Sequence, residues 1–105
     1  MLNIYQKIRR DFSLLSEYGY IFDHDEHHNV MPSVVFRKND TMIQIGMHYD
    51  DQKMFILYYT KKNQLLGENI IKNLNFQNVK YEKHLDKVKP ILMDFLQRNQ
   101  SNWIF

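Results

Sequence analysis

Cysteine and alanine are both missing from this 105-residue chain, and glycine and proline are scarce, with three and two residues. Without cysteine, neither a disulfide framework nor a thiolate metal site can form. No stretch approaches the roughly 20 apolar residues of a membrane-spanning helix. The first residues also lack the long apolar run of a signal peptide. We therefore expect a soluble, cytoplasmic protein that does not enter the membrane.

Catalytic signatures are missing as well. The glycines are scattered at Gly19, Gly46 and Gly67, so they form no glycine-rich phosphate loop. No serine lies in a nucleophile-elbow motif, and no cysteine nucleophile exists. We expect a protein that is not an enzyme and that needs no cofactor.

The residues that are present predict one globular domain over 1–105. Hydrophobic residues make up 44% of the chain and aromatic residues 14%, which is typical of a packed core. The net charge of +2 hides an asymmetry: residues 1–52 carry five basic and eight acidic side chains, and residues 53–105 carry nine and four. The halves therefore have charges of −3 and +5, which favours a charged partner but is too mild to require nucleic acid.

The pattern of apolar residues predicts an α+β fold. Apolar residues at spacings of three and four predict an N-terminal helix over about Ile4 to Tyr18. Three β-prone runs between Pro32 and Thr60, separated by short polar turns, predict an antiparallel meander of three to four strands with Tyr20–Phe22. In its central strand, Ile43 and Ile45 should face the helices. The remainder predicts two to three C-terminal helices.

Two details of the second half are less regular. The strand Met54–Tyr59 is apolar on both faces, and its adjacent Tyr58 and Tyr59 must point to opposite sides. Apolar residues from Leu65 to Leu74 then suggest a short helix, and a longer helical pattern starts at Val79. Pro90 should kink that longer helix or divide it. The apolar C-terminal residues are expected to dock: Trp103, Ile104 and Phe105.

The most unusual local composition is the segment DHDEHHN at 23–29, which we interpret as an exposed loop. In an antiparallel meander this loop lies at the same end of the sheet as the turn Asp50-Asp51. Acidic residues and an imidazole should therefore gather at that end. The candidate partner-binding residues are Asp23, Asp25, Glu26, His48, Asp50 and Asp51.

Several interpretations of these residues remain open. The segment can be a solvated loop without further function, or an acidic surface that meets a basic protein. A third hypothesis is a metal site made by His24, His27 and His28, with His48 or Asp50, since imidazole and carboxylate suit several transition metals.

The lysine-rich second half offers an alternative partner. Lys80, Lys83 and Lys87, with His84, follow the polar face of the long helix. This face could bind nucleic acid weakly, but that half has a single arginine and its aromatic residues fall on the apolar stripe. Nucleic acid is therefore the less favoured partner.

The order of elements also resembles a family of proteins. A leading helix that ends at YGY, an acidic segment, the meander SVVFRKNDTMIQIGMHYDDQKMFILYY and a closing helix are similar to small immunity proteins of bacterial toxin–immunity pairs, including those of contact-dependent inhibition. The resemblance implies a cytoplasmic protein that binds and neutralises one cognate toxin, which in such pairs is often a basic nuclease. The contact residues that it implies are Asp23, Asp25, Glu26, Asp50 and Asp51.

Overall fold

The structure is a computed structural model that describes residues 3–60, 68–69 and 79–101. The chain begins with helix α1 (Ile4–Asp11) and a 3₁₀ helix (Ser13–Tyr18). Five strands and a long helix follow: β1 (Ile21–Glu26), β2 (Ser33–Lys38), β3 (Thr41–Met47), β4 (Met54–Thr60), β5 (Glu68–Asn69) and α2 (Tyr81–Ser101). The predicted α+β class, with an antiparallel sheet between an N-terminal and a C-terminal helix, is confirmed.

The N-terminal helical segment starts and stops for local reasons. The side chain of Asn3 accepts a hydrogen bond from the Gln6 N–H, and the Gln6 side chain accepts one from the Asn3 N–H, which together form a capping box. The predicted single helix is divided at Phe12 into α1 and the 3₁₀ helix. Gly19 ends the segment with a left-handed φ of 88°, a conformation that glycine adopts without steric cost.

The sheet is a meander in which every strand pairs with its neighbour in the chain. Val34 of β2, Ile45 of β3 and Ile56 of β4 are register partners, so their side chains share one side of the sheet, here called the helix face. All three are fully buried. The prediction that the Ile43 and Ile45 side of β3 faces the helices is therefore confirmed. The opposite side is here called the far face.

Both helical regions pack on the helix face. Ile8, Phe12 and Leu15 of the N-terminal segment belong to the same buried cluster as the apolar residues of the helix face. Helix α2 joins this cluster through Val88, Leu92 and Leu96. One layer of sheet and one layer of helices thus enclose a single core.

The second half of the chain corrects two expectations. Glu68–Asn69 pairs with β4 as β5, so the helix expected over Leu65–Leu74 is wrong at these two residues; the rest of that stretch lies outside the described residues. Helix α2 continues through Pro90 without a break. Its apolar contacts on both sides of Pro90 outweigh the lost backbone hydrogen bond, so the predicted division is wrong.

The C-terminal part of the described chain contains one α-helix, where two to three helices were expected. Trp103, Ile104 and Phe105 lie outside the described residues, as does Lys61–Gly67. None of the helices in residues 3–60 and 79–101 has both the length and the apolar character needed to cross a lipid bilayer.

Candidate functional site

The acidic segment belongs to strand β1, and the loop expected over 23–29 is wrong for its first four residues. His24, Asp25 and Glu26 are paired with Val35, Val34 and Ser33 of β2. A strand at the edge of a sheet tolerates charged side chains because half of its surroundings is solvent. The loop itself is shorter and covers 27–32, between β1 and β2.

The pairing distributes the acidic residues over both faces of the sheet. Asp25 shares the helix face with its partner Val34, whereas Glu26 and His24 lie on the far face. A bulge between Phe22 and His24 shifts the register at that point. The acidic residues of β1 therefore follow the strand along the edge of the sheet, and only Glu26 lies at its loop end.

Asp25 is held by a basic residue that the sequence analysis did not single out. The Arg9 guanidinium donates to both carboxylate oxygens of Asp25, at 3.0 and 3.1 Å. The same guanidinium lies 4.8 Å from the ring centroid of Phe22. Asp25 is therefore compensated inside the fold, and it fastens α1 to the edge strand.

Asp23 and Glu26 share the imidazole of His24. Its Nδ1 lies 2.5 Å from an Asp23 oxygen and its Nε2 lies 2.7 Å from a Glu26 oxygen. The hydrogen bond to Asp23, and then that to Glu26, raise the pKa of His24 above its ordinary value. Arg37 adds a longer contact of 3.4 Å to Asp23.

The loop after β1 and the turn after β3 meet, as the meander topology predicted. The Tyr49 N–H donates to the Val30 carbonyl oxygen at 3.0 Å. Asp50 and Asp51 are both exposed on the turn. Asp51 accepts a hydrogen bond from the Lys53 N–H at 3.0 Å, which lowers the pKa of its carboxyl. Asp50 has no ion pair with any residue that the structure describes.

The two loops that meet at this end of the sheet also expose large apolar side chains. Val30, Met31 and Tyr49 are 47%, 38% and 50% exposed, which is high for large apolar side chains. The hydrogen bond between Tyr49 and Val30 keeps two of the three together. We call this surface the acidic end. It comprises Glu26, Val30, Met31, Tyr49, Asp50 and Asp51.

These apolar residues were not among the predicted contact residues, and only one weak signal in the sequence points to them. That signal is the apolar pair Val30-Met31 inside an otherwise polar loop. The bases that compensate the acids, Arg9 and Arg37, left no signal, since both contacts depend on how distant segments pack.

The imidazoles considered as metal ligands have separate structural roles. The His27 ring packs against the Tyr5 ring, with centroids 4.4 Å apart and an interplanar angle of 49°. His28 Nδ1 accepts hydrogen bonds from two main-chain N–H groups of its own loop, each at 3.1 Å. Both nitrogens of His24 contact carboxylates. Within the described residues, no three histidine, aspartate or glutamate side chains come together as a metal site.

A small polar network on the far face joins side chains of β2, β3 and β4. The Gln44 amide donates to the buried Ser33 hydroxyl at 2.7 Å, and the Tyr59 hydroxyl lies 3.4 Å from the Gln44 oxygen. Burial, followed by the charges of the nearby Glu26 and Asp23, raises the pKa of Tyr59. The His48 ring packs against Phe55, with centroids 6.2 Å apart. Its main chain bonds to Gln52 and Lys53 of the turn that carries Asp51.

The lysine-rich face of α2 begins close to the acidic end. The Tyr81 N–H donates to the Gln52 carbonyl oxygen at 3.0 Å, which ties the start of α2 to the turn after β3. His84 accepts a hydrogen bond from the Lys80 N–H at 2.8 Å and thereby caps the helix. Lys83 and Lys87 are exposed one turn apart.

No family model, no curated protein and no solved structure matches this chain. Its class is thus defined by fold and surface alone, as an α+β domain with a charged edge strand and an acidic end. The groups at that end offer negative charge, hydrogen-bond acceptors and exposed apolar area. Such a combination suits the binding of another molecule.

Proposed function

We propose that this chain is a non-enzymatic binding protein that recognises and neutralises a basic protein through its acidic end. In the manner of the immunity proteins that the sequence resembles, it would cover the working surface of a bacterial toxin in the cytoplasm. Among toxins, a basic nuclease is the kind to which an acidic surface is most complementary.

The observation that carries the proposal is that exposed apolar side chains and exposed carboxylates occur together on the two segments that meet at this end of the sheet. Val30, Met31 and Tyr49 supply exposed apolar area of the kind that a protein interface needs, and Glu26 and Asp50 supply exposed negative charge. The two loops that present these groups are joined by a main-chain hydrogen bond, so the surface is formed before a partner arrives.

The internal ion pairs sharpen the choice of contact residues. Arg9 compensates Asp25, and Arg37 and His24 compensate Asp23, so these two acids contribute more to the fold than to a partner. Glu26 is more exposed, with 54% of its side chain accessible. We therefore expect Glu26 and Asp50 to account for most of the charge effect on binding.

The proposal is tested by reversing these two charges together. The variant Glu26→Lys/Asp50→Lys should bind the basic partner at least about tenfold more weakly. Like charges that face each other across an interface cost several kcal/mol of binding free energy, and a tenfold loss of affinity requires only ~1.4 kcal/mol. Wild-type and variant proteins are immobilised, exposed to extract of the native organism, and the retained proteins are quantified by mass spectrometry.

The matched control is Glu17→Lys/Asp40→Lys, which changes the net charge equally at exposed positions away from the acidic end. This control should retain the partner as the wild type does. Equal retention by all three proteins, or retention of nucleic acid without a basic protein, would contradict the proposal.

A further inference from the structure

The outer edge of β1 carries main-chain groups that point away from the sheet. The Met47 N–H donates to the Pro32 carbonyl oxygen at 3.2 Å, which shows that the even-numbered residues of β2 bond to β3. The odd-numbered residues of β2 therefore bond to β1. Their partners on β1 are Ile21, His24 and Glu26.

The two remaining paired residues of β1 direct their main chain outward. These are Phe22 and Asp25, whose partners Phe36 and Val34 are even-numbered residues of β2. No described residue pairs with this side of β1, which is the last strand of the sheet. The side chains of Ile21 and Phe22 are 61% and 45% exposed beside it. Such an edge is a template for an additional strand.

A groove runs along the helix-face side of this edge. It encloses about 290 Å³ between β1 and the N-terminal helical segment. Phe12 and Leu15 form its buried floor, and Arg9, Ser13, Ser16 and Phe22 form its margins. Asp25 compensates the charge of Arg9 there. Side chains on one face of an added strand would enter this groove.

The charges of β1 define what kind of strand can be added. Glu26 and His24 lie on the far face, with Asp23 in the bulge next to them, so a basic side chain fits opposite them. Phe22 and the groove lie on the helix face, so an apolar side chain fits there. A second copy of this chain fits poorly, because its own β1 would bring three more carboxylates into register.

We infer that the partner contributes an extended segment, with basic residues alternating with apolar ones, that pairs with β1 as an additional strand. This inference rests on the proposed function and specifies its mode of recognition. The main chain of the added segment bonds to Phe22 and Asp25, a basic side chain meets Glu26, and its apolar side chains enter the groove.

The test uses the full chain and a capped synthetic peptide of alternating lysine and valine, matched in length to β1. Amide hydrogen exchange is followed by NMR with and without the peptide. The Phe22 and Asp25 amides should exchange at least about tenfold more slowly when the peptide is bound. The His24 amide, which already bonds to β2, serves as the internal control and should change little.

Two matched controls separate the inference from the proposed function. A peptide with the same charges but N-methylated internal amides cannot donate to β1, so it should lose its binding. The variant Glu26→Lys/Asp50→Lys should bind the unmodified peptide about tenfold more weakly. Together these results support both statements.

Each of the other outcomes contradicts either the added strand or recognition by the acidic end. If both peptides bind equally, without protection at Phe22 and Asp25, strand addition is wrong while recognition by the acidic end stands. If protection occurs but the charge variant binds normally, strand addition stands and the acidic end is not the recognition surface. If no peptide binds at about 1 mM, the inference of an added strand is wrong.

Discussion

At the scale of single residues, His24 is the group whose protonation changes the charge of β1. Its hydrogen bonds to Asp23 and Glu26 raise its pKa above the ordinary value. Because the pKa is higher in the folded protein, the stabilisation is fully present below about pH 6.5 and disappears as the pH rises through the raised pKa. Titration of the His24 ring by NMR should give a midpoint above the ordinary value.

The matching stability measurement uses His24→Gln, which cannot titrate. Between mildly acidic and mildly alkaline pH, the free energy of unfolding of the wild type should fall more steeply than that of the variant. A midpoint at or below the ordinary imidazole pKa, or identical pH profiles for the two proteins, would show that the carboxylate contacts do not stabilise the imidazolium.

The pair Arg9–Asp25 is the second residue-level feature that can be measured directly. Its side chains are 32% and 18% exposed, and Nη1 of Arg9 donates to both carboxylate oxygens of Asp25, at 3.0 and 3.1 Å. A double-mutant cycle with Arg9→Gln and Asp25→Asn should give a coupling of about 1 kcal/mol or more, measured by chemical denaturation.

The exposed pair Lys53–Asp51 provides the control for that cycle. Both side chains are 47% exposed, and the charged atoms are 3.8 Å apart. The same type of cycle on this pair should give a coupling close to zero. Equal couplings for the two pairs would mean that Arg9 does not fasten α1 to the edge strand.

At the scale of elements, helix α2 contains a proline at a position where it does not stabilise the helix. Pro90 is exposed and lies inside the helix, so it removes one backbone hydrogen bond without adding core contacts. Pro90→Ala should raise the free energy of unfolding by about 1–3 kcal/mol. The gain is limited because proline also restricts the unfolded chain.

Thermal and chemical denaturation measure this change, with the neighbouring Lys89→Ala as the control. The control removes side-chain bulk from the same turn but leaves the backbone bonds unaltered, so its stability should stay within about 0.5 kcal/mol of the wild type. A stability loss on Pro90→Ala would indicate that the proline ring is needed in a way that the fold does not explain.

Elements with one buried face could be predicted from the sequence, and elements without one could not. The central strand alternates because Ile43 and Ile45 face the core, which fixes both its type and its orientation. β1 has no such pattern: it lies at the edge, and the charged residues from Asp23 to Glu26 occupy both of its faces. β5 has only two residues, too few for any period.

The candidate site likewise has one part that the sequence predicts and one part that it does not. The meeting of the 27–32 loop with the Asp50-Asp51 turn follows from antiparallel topology, so it could be predicted as soon as the strands were recognised. The compensation of Asp25 by Arg9 joins residues that are 16 positions apart. It depends on where α1 crosses the sheet, and no local pattern in the sequence encodes that.

At the scale of the whole molecule, acidic and basic surfaces lie close together rather than at opposite ends. The lysine-rich start of α2 is tied to the turn that carries Asp50 and Asp51. In addition, three of the five acids of β1 and the turn form ion pairs with Arg9, Arg37 and Lys53, and these acids are Asp25, Asp23 and Asp51. Long-range attraction of a basic partner should therefore be modest, and the contacts of the acidic end should determine how long the complex lasts.

This arrangement predicts that the two charged surfaces respond differently to charge reversal. Lys83 and Lys87 are exposed on α2, and replacing them by glutamate adds negative charge near the acidic end without removing any of its residues. Lys83→Glu/Lys87→Glu should therefore retain a basic protein partner as well as the wild type does, or somewhat better, while Glu26→Lys/Asp50→Lys loses it. Parallel capture experiments, with the eluates also read at 260 nm, measure protein and nucleic acid together. The contrary outcome is that the wild type retains its partner together with nucleic acid and that Lys83→Glu/Lys87→Glu loses it. That outcome would place the binding surface on α2 instead of the acidic end.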